Sequence, residues 1–433
     1  MAREYFHSVT LDKTLCKGCT NCISKCPTEA IRVRDAKAMI ITERCIDCGE
    51  CIRKCPSHAK KAVSDPLDII RNYDFKVAIP APSLYGQFKN TPTDVILTAL
   101  KKLGFDDVYE VASAAEIASQ ATADLIKKGN YPRPLISSSC PAVVRLIQVR
   151  FPSLIEHVIK LQTPMEIAAR IVKKQLYPDK KNIGVFFISP CPAKITSVRS
   201  PLGNEQSAVD GVIAQKDIFP AMHRLIKTID KPEKLSKASG TGIRWAHSDG
   251  ESEAVRSPKS IAVDGIEHVI KVLEQIENED FHHIDFIEAM ACPGGCVGGT
   301  LTVENPYIAR SRVKRLVASV PLKNNEEDIN LNPGFDISWT KEIYSRPILK
   351  LSEDVSEALQ MMDEIEKIDS MLPGLDCGSC GAPNCHSLAE DIVTGKAHKT
   401  DCIFILRDEI KKVAGQMAEL EKRMPPARNF HKE

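Results

Sequence analysis

The chain has 433 residues, 43% of them hydrophobic, and this length predicts two or three domains with a large buried core. Its 58 Lys and Arg nearly balance its 57 Asp and Glu, which excludes the basic excess typical of nucleic-acid-binding proteins. No stretch approaches the about 20 apolar residues that span a bilayer, and the N-terminus lacks the apolar segment of a signal peptide. We therefore expect a cytoplasmic protein with no membrane span and no nucleic-acid partner.

Cysteine is the most informative residue type in this sequence. The chain has 16 cysteines, many of them closely spaced. Thiols stay reduced in the cytoplasm, so closely spaced cysteines there favour metal binding over disulfides. The 16 positions divide into four groups of four, and each group is expected to hold one 4Fe-4S cluster.

Two of these groups come from a repeat near the N-terminus. The spacing C-x2-C-x2-C-x3-C-P occurs at Cys16, Cys19, Cys22, Cys26 and again at Cys45, Cys48, Cys51, Cys55. In such a repeat the fourth thiolate of each copy ligates the other cluster, so the predicted quartets are Cys16, Cys19, Cys22, Cys55 and Cys45, Cys48, Cys51, Cys26. Zinc is the alternative, although its ligand pairs seldom interleave in this way. Residues up to about 70 resemble a bacterial two-cluster ferredoxin, which suits electron relay.

From about residue 75 to 323, short apolar segments alternate with amphipathic helical stretches. This pattern predicts an α/β fold with a largely parallel sheet. The predicted strands include 77–79, 135–136, 185–188 and 284–287. The predicted helices include 93–103, 114–128, 163–175 and 265–276.

Four further cysteines lie in this α/β region. Cys140, Cys191 and Cys292 each follow a predicted strand, and Cys296 lies in a Gly-rich loop four residues after Cys292. A lone cysteine is more often a small buried apolar residue. Ligands in open α/β sheets gather at the carboxyl ends of strands, however, so four thiols in these places indicate one shared cluster site.

The segments around these cysteines carry a family resemblance. They read SSSCP at 137–141, SPCPAK at 189–194 and EAMACPGGCVGG at 288–299. These three segments are similar to the signature loops of the FeFe-hydrogenases, and the likeness extends over about residues 75–320. The third loop is long and the most specific of the three.

The resemblance implies a role for each residue of the pocket. Cys140, Cys191, Cys292 and Cys296 would hold the 4Fe-4S part of the H-cluster, and Cys296 would also bridge to a two-iron unit with CO, cyanide and a dithiolate amine bridge. Lys194 would donate to a cyanide, since a buried ammonium needs an anionic partner; the alternative is an exposed lysine at a helix start. The residues implied to line the two-iron pocket are Ala81, Pro82, Ser83, Pro164, Ser189 and Met290.

The sequence also departs from the usual hydrogenase pattern. Ser139 replaces the cysteine that relays protons to the bridge amine, Ser189 replaces a methionine, and Ser197 replaces a glutamate. Residues 119–124 lack the acidic pair that carries protons in fast members. These differences predict slow turnover and fit the sensory FeFe-hydrogenases, in which cluster chemistry reports H2. The alternative is an electron-transfer or cluster-scaffold relative that never receives the two-iron unit.

The fourth cysteine group lies near the C-terminal end. Cys377, Cys380, Cys385 and Cys402 have the spacing C-x2-C-x4-C-x16-C. The segment resembles the four-cysteine cluster domain found in the Rnf complex and in corrinoid iron-sulfur proteins. Zinc is again the alternative, because isolated four-cysteine sites also suit that ion. His386 is expected on a helix surface, since four thiols suffice as ligands.

The last predicted helix carries a regular apolar seam. Its members, alternately four and three residues apart, are Leu406, Ile410, Val413, Met417, Leu420 and Met424. This heptad spacing predicts either a helix packed back on the core or a homodimer through a coiled coil. Parallel pairing would place two C-terminal cluster modules side by side.

We therefore expect an α/β protein of three parts and a tail. The predicted divisions are 1–70 for the ferredoxin-like module, 71–345 for the H-cluster domain with largely parallel sheets, 346–403 for a linker helix and small helical cluster module, and 404–433 for the final helix. The expected partners are H2 and protons, a redox partner protein such as ferredoxin, and a signalling partner.

Overall fold

The computed structural model describes residues 5–278, 280–322, 333–346, 351–352 and 354–424. Within these ranges the strands are β1 (Val9–Leu11), β2 (Ile31–Arg34), β3 (Lys37–Ile40), β4 (Lys60–Ala62), β5 (Phe75–Pro80), β6 (Asp107–Val108), β7 (Leu135–Ile136), β8 (Ile183–Ser189), β9 (Gly211–Ala214), β10 (Ser260–Asp264) and β11 (Phe286–Met290). The α-helices are α1 (Glu50–Lys54), α2 (Thr93–Lys102), α3 (Val111–Lys128), α4 (Pro141–Arg150), α5 (Pro164–Ile171), α6 (Pro192–Arg199), α7 (Gln215–Ile226), α8 (Gly240–Ile243), α9 (Gly250–Val255), α10 (Ile266–Glu277), α11 (Pro306–Ser319), α12 (Val355–Met371), α13 (Cys385–Val393) and α14 (Ile403–Arg423).

The N-terminal region is built from two antiparallel strand pairs. Strand β1 pairs with β4, and β2 pairs with β3. The apolar side chains of Ile23, Ile31 and Ala38 are buried between them, beside Cys16 and Cys22. Because this apolar core is small, the thiols occupy much of the interior of the module.

The middle of the chain contains two parallel sheets. One has the strand order β6-β5-β8-β9 and the other β10-β11-β7. Strands β5 and β8 are almost continuously apolar and buried, the pattern of strands covered by helices on both faces. The predicted fold class, α/β with parallel sheets and a helical C-terminal part, is confirmed. The loops that follow β5, β7, β8 and β11 all reach the same region of the molecule.

Some element boundaries differ from the prediction. The strand predicted at 284–287 lies instead at Phe286–Met290, so the acidic residue Glu288 is inside a fully buried strand. The helix predicted at 163–175 is α-helical only to Ile171 and continues as a π-helical turn to Leu176. The predicted acidic linker helix is α12, which begins at Val355 because Asp354 caps it by accepting a hydrogen bond from the Glu357 backbone.

The C-terminal helices form a separate small core and then a free helix. Helices α12 and α13 pack through Ile365, Ile368 and Leu388. Phe404 and Ile405 at the start of α14 pack against this small core. Every residue from Leu406 to Met424 is exposed, so the alternative that the apolar seam packs back on the core is wrong. The domain boundaries stay predictions, and residues 1–4 and 425–433 lie outside the described residues. None of the described helices has the length and apolar character that a membrane crossing requires.

Candidate active site and cluster sites

The four central cysteines are carried by loops that follow buried strands. Cys140 and Cys191 follow β7 and β8 and immediately precede α4 and α6. Cys292 lies two residues after β11, and Cys296 begins the next short helical turn. Gly295 between them has a φ of 87°, and a Cβ there would lie 2.4 Å from the Ser248 backbone nitrogen. Glycine is therefore required where this loop passes close to neighbouring backbone.

The four thiols surround one cavity of about 90 Å³. Other predicted pocket residues at its wall are Ala81, Pro82, Ser139, Pro164, Lys194 and Met290. Two predicted residues do not line it. The Ser83 hydroxyl is buried and accepts a hydrogen bond from Gln215 Nε2 at 2.9 Å. Ser189 is bonded to the Cys191 backbone at 3.0 and 3.1 Å, so it shapes the loop behind the wall.

Much of the cavity wall gave no signal in the sequence. Its further apolar side chains are Val111, Ala115, Met165, Phe187 and Trp245. Apolar residues at helical or strand spacing are read as ordinary core, so their position at a cavity depends on the tertiary fold alone. The resulting wall makes the region that the thiols and Lys194 share largely apolar.

The Lys194 ammonium faces this apolar cavity, and none of the described residues supplies an anion bound to it. Burial lowers the pKa of Lys194, and the neighbouring Cys296, Cys191 and Cys140 oppose that shift. The nearby Glu166 carboxylate is already bonded to Ser207 and to the Ala208 backbone at 2.8 Å. In the part of the chain that the structure describes, Lys194 Nζ makes no hydrogen bond or ion pair. An unpaired buried charge is costly, so this site fits an anionic ligand beside Lys194.

The four thiols also fit a metal cluster by their chemistry. Burial raises the pKa of Cys191 to about 11 and that of Cys296 to about 12, and it raises the pKa of Cys292 well above its ordinary value. Thiolates in so apolar a place need a nearby cation. Four sulfur donors around a single cavity are the ligand set of a 4Fe-4S cluster.

Ser139 connects this cavity to a buried carboxylate that sequence reasoning missed. Ser139 lines the cavity, and its hydroxyl donates a hydrogen bond to Glu251 Oε2 at 3.0 Å. Ser137 Oγ lies 2.8 and 2.7 Å from the two carboxylate oxygens of the same glutamate. Burial raises the pKa of Glu251 to about 7, so the group can hold or release a proton near neutral pH.

A second buried acid, Glu288, is close enough to Glu251 for their charges to interact. It is fully buried in β11 and accepts hydrogen bonds from the backbones of Asp249 at 3.0 Å and Ser252 at 2.7 Å. Burial, together with the charge of Glu251, raises the pKa of Glu288 to about 8. The sequence could have indicated that Glu288 is a special residue, since an acid in an apolar strand is unusual. It contains no comparable feature at Glu251.

The segment that lacks the expected acidic pair has a structural role. Ser119 Oγ accepts a hydrogen bond from Trp245 Nε1 at 2.9 Å and donates to the Ala115 carbonyl at 2.8 Å. Asp124, the one acid of residues 119–124, is exposed and bonded to Gln120 at 3.0 Å. These residues therefore hold Trp245 against the cavity and offer no buried acid there.

The N-terminal cysteines surround two cavities in the interleaved arrangement. One cavity is lined by Cys16, Cys19, Cys22 and Cys55, and the other by Cys26, Cys45, Cys48 and Cys51. Backbone amides of Ala30, Ala38 and Ala59 donate to the thiol sulfurs of Cys26, Cys16 and Cys55 at 3.2, 3.4 and 3.3 Å. The structure thus groups these eight residues in the same two quartets that the repeat predicts.

The second of these cavities lies against the central site. Cys48 belongs to the same apolar cluster as Cys140 and Cys191. A Cβ on the adjacent Gly49 would lie 3.0 Å from the ring of Pro192, which follows Cys191. The quartet Cys26, Cys45, Cys48, Cys51 is therefore the neighbour of the central thiols.

The C-terminal quartet docks on the N-terminal module. Its cavity is lined by Cys377, Cys380, Cys385 and Cys402. Arg32 Nε and Arg34 donate to Asp391 at 2.7 and 2.8 Å, and Arg44 donates to Glu390 at 2.8 Å. Arg34 also donates to the Cys380 carbonyl at 2.6 Å.

This docking places the C-terminal loop on the side of the first N-terminal cavity. A Cβ on Gly378 would lie 3.3 Å from Ile23, which is buried beside Cys16 and Cys22. His386 lies at the surface of α13, as predicted, and Nδ1 is 3.3 Å from Asp369. The four cavities therefore follow one another from the C-terminal module through the two N-terminal quartets to the central site.

An α/β fold that gathers 16 cysteines around four cavities defines an iron-sulfur protein. More specifically, the chain belongs to the FeFe-hydrogenase family. The family model described as iron only hydrogenase large subunit, C-terminal domain, matches residues 75–260 and 220–300. A 4Fe-4S dicluster domain model matches residues 8–56, and an Fe-S cluster model matches residues 372–404.

The chain is also similar to individual proteins. Iron hydrogenase 1 of Clostridium pasteurianum is 26% identical over 413 residues, which cover 76% of this chain and 70% of that protein. The NADP-reducing hydrogenase component HndD of Solidesulfovibrio fructosivorans is 23% identical over 350 residues, 67% of this chain and 56% of that protein. A variant of the FeFe-hydrogenase of Chlamydomonas reinhardtii aligns with a TM-score of 0.44 and 16% identity, covering 57% of this chain and 86% of that one.

Proposed function

We propose that this chain binds an H-cluster in the central cavity and cleaves H2 reversibly there, at a slow rate suited to sensing H2. One observation carries the proposal: four thiols and the Lys194 ammonium face a single apolar cavity. When bound, the H-cluster supplies the open iron site at which H2 is separated into two protons and two electrons. The residues of this chain then hold that group, receive the protons and conduct the electrons.

The central thiols and Lys194 provide the binding functions. Cys140, Cys191, Cys292 and Cys296 would ligate the 4Fe-4S part, and Lys194 would donate to an anionic ligand of the two-iron unit. The apolar wall raises the strength of that charged interaction, because few water dipoles screen it. Ala81, Pro82, Pro164 and Met290 would bound the two-iron unit on its remaining sides.

Ser139, Glu251 and Glu288 provide a buried route for protons. Ser139 is the link between the cavity and Glu251, which it contacts at 3.0 Å. A relay group works best when its pKa is near the working pH, and Glu251 with a pKa of about 7 meets this condition. Glu288 adds a second buried acid, whose pKa is raised by burial and by the charge of Glu251.

The cysteine quartets provide the route for electrons. The order of the cavities favours electron transfer from the central site to the quartet that contains Cys48. From there electrons would pass to the quartet that contains Cys16, and then to the C-terminal module. A redox partner such as ferredoxin, or a signalling partner, would exchange electrons at the C-terminal end of this series. One 4Fe-4S cluster in each of the four sites would give a continuous electron route from the central cavity to the C-terminal module.

The proposed low rate follows from the proton route. An alcohol at residue 139 is a much weaker acid than the thiol found there in fast members, so stepwise transfer through Ser139 is slow. A slow enzyme still changes the redox state of its clusters when H2 binds, which is sufficient for a sensor. The substitution therefore favours a sensory role over bulk H2 production.

Infrared spectroscopy of the protein after loading with the two-iron unit tests cofactor binding, because CO and cyanide absorb where protein does not. We expect those bands together with about eighteen irons per chain, four in each cube and two in the two-iron unit. About sixteen irons without CO bands would contradict the proposal and favour a cluster scaffold or electron-transfer protein.

A further inference from the structure

Helix α14 exposes a continuous apolar stripe. Its side chains, each between 41% and 67% exposed, are those of Ile403, Leu406, Ile410, Val413, Met417, Leu420 and Met424. Single exposed apolar residues are common, but a contiguous stripe of this size marks an interaction surface. Phe404 and Ile405 pack on the small C-terminal core, but every residue from Leu406 to Met424 is exposed, so this part of the stripe has no partner within the described chain.

The spacing of the stripe identifies the kind of partner. Alternating steps of three and four residues place Ile403, Ile410, Met417 and Met424 at heptad position a, and Leu406, Val413 and Leu420 at position d. Such a seam is complementary to another helix with the same repeat. Gly415 occupies the outer position f, away from the seam, and no atom lies within 4 Å of a Cβ placed there.

Charges beside the seam decide the orientation of two such helices. Position e holds Arg407, Ala414 and Glu421, and position g holds Glu409, Gln416 and Arg423. In a parallel pair, each g residue faces the e residue five positions later on the other helix. Glu409 then faces Ala414 and Gln416 faces Glu421, so no pair of opposite charges forms.

Reversing one helix exchanges these neighbours, because g then faces g and e faces e. In the register where Val413 of one helix packs against Met417 of the other, Glu409 of one helix faces Arg423 of the other. Arg407 of one helix likewise faces Glu421 of the other. Two-fold symmetry repeats both contacts, which gives four pairs of opposite charge and no pair of like charge. Flanking charges of this kind set the orientation of coiled coils.

We propose that α14 pairs with α14 of a second copy as an antiparallel two-stranded coiled coil. In this register the two Cys402 residues are 26 positions apart along the axis, about 39 Å at 1.5 Å per residue. Parallel pairing would bring them to about 10 Å, the spacing of packed helices. The antiparallel dimer therefore keeps the C-terminal cluster modules apart, so each copy has its own electron route.

The first test measures oligomeric state by sedimentation of the full chain at tens of micromolar. Wild type is expected to be a dimer, Ile410→Glu in the seam a monomer, and Lys412→Glu on the outer face a dimer. Both substituted positions are exposed, so the variants fold as wild type does. A monomeric wild type, or a dimer that persists in Ile410→Glu, would overturn the proposal.

The second test examines orientation by exchanging charges. Glu409→Arg and Arg423→Glu should each weaken dimerisation roughly tenfold, because each replaces two attractive contacts with two repulsive ones. The double variant should recover wild-type affinity, since the opposite charges face each other again. Circular dichroism checks that helix content is unchanged. A double variant as weak as the two single changes combined would contradict the antiparallel arrangement.

Discussion

Ser139 Oγ donates a hydrogen bond to Glu251 Oε2 at 3.0 Å, and the two residues are 112 positions apart in the sequence. The contact joins the wall of the central cavity to a buried acid whose pKa burial raises to about 7. A proton leaving the cavity by this route has an acceptor at the first step. Residues 119–124 offer no buried acid, so the proposed proton transfer begins at this contact.

Glu251→Gln should slow H2 oxidation and H2 evolution roughly 10- to 100-fold, because the amide cannot exchange a proton while the shape of the side chain is preserved. The CO bands of the loaded protein should be unchanged. Glu253→Gln is the matched control on the same helix, since Glu253 is exposed and pairs with Arg244 at 2.6 Å. Equal rates in the Glu251 variant and wild type would exclude Glu251 from the route.

Ser139→Cys should raise turnover several-fold in both directions. A thiol has a pKa of about 8.5, whereas the serine alcohol is closer to water at about 15.7, so the thiol exchanges a proton far more readily. Ser139→Ala should have the opposite effect, because it removes the link to Glu251. Rates must be compared at equal CO band intensity. If all three side chains gave one rate, protons would have to reach the cavity by another path.

The rate of H2 oxidation should rise with pH through about 7, and the rate of H2 evolution should fall over the same interval. Oxidation needs Glu251 ionised to accept a proton, whereas evolution needs it protonated to donate one. Rates measured from about pH 6 to 9 in wild type and Glu251→Gln check this prediction. An inflection that remains unchanged in the variant would have to come from a different group.

Lys194→Met should prevent retention of the two-iron unit, because the apolar cavity then offers no positive charge to its anionic ligands. The 4Fe-4S clusters should remain, which leaves about sixteen irons per chain and no CO bands. Lys231→Met, at an exposed loop position, is the control. Full CO bands in the Lys194 variant would show that the ammonium is dispensable for binding.

Cys377→Ala should remove about four irons per chain and leave the CO bands intact. The reason is that the C-terminal module contacts the N-terminal module through Arg32, Arg34 and Arg44, and does not line the central cavity. Ser370→Ala, at an exposed position on α12, is the control. Loss of the CO bands together with the cluster would mean that the two sites fold as one unit.

The cysteine quartets could be predicted because their signal is local. Three thiols at fixed short spacing wrap one cluster, and the fourth position follows from the proline beside it. The grouping of Cys55 with Cys16 and of Cys26 with Cys45 could be inferred in this way. The α/β fold could also be predicted from local sequence, since β5 and β8 are continuous apolar segments bounded by turn residues.

The Ser139–Glu251 contact and the docking of the C-terminal module could not be predicted, because they depend on residues far apart in the sequence. Glu251 lies in an ordinary short polar segment, and only the tertiary fold brings its carboxylate to Ser139. Arg32 and Asp391 are 359 positions apart, and neither has a neighbour that marks it as a contact. The position of Ser83 also depends on a distant contact, since its hydroxyl accepts a hydrogen bond from Gln215 and the residue does not line the cavity.

The central claim is that the loaded protein cleaves H2, and isotope exchange measures this most directly. Loaded protein under H2 in heavy water should release HD slowly, and its CO bands should shift reversibly between H2 and argon. Protein without the two-iron unit should release none. CO bands at full intensity that neither shift under H2 nor accompany HD formation would contradict the account.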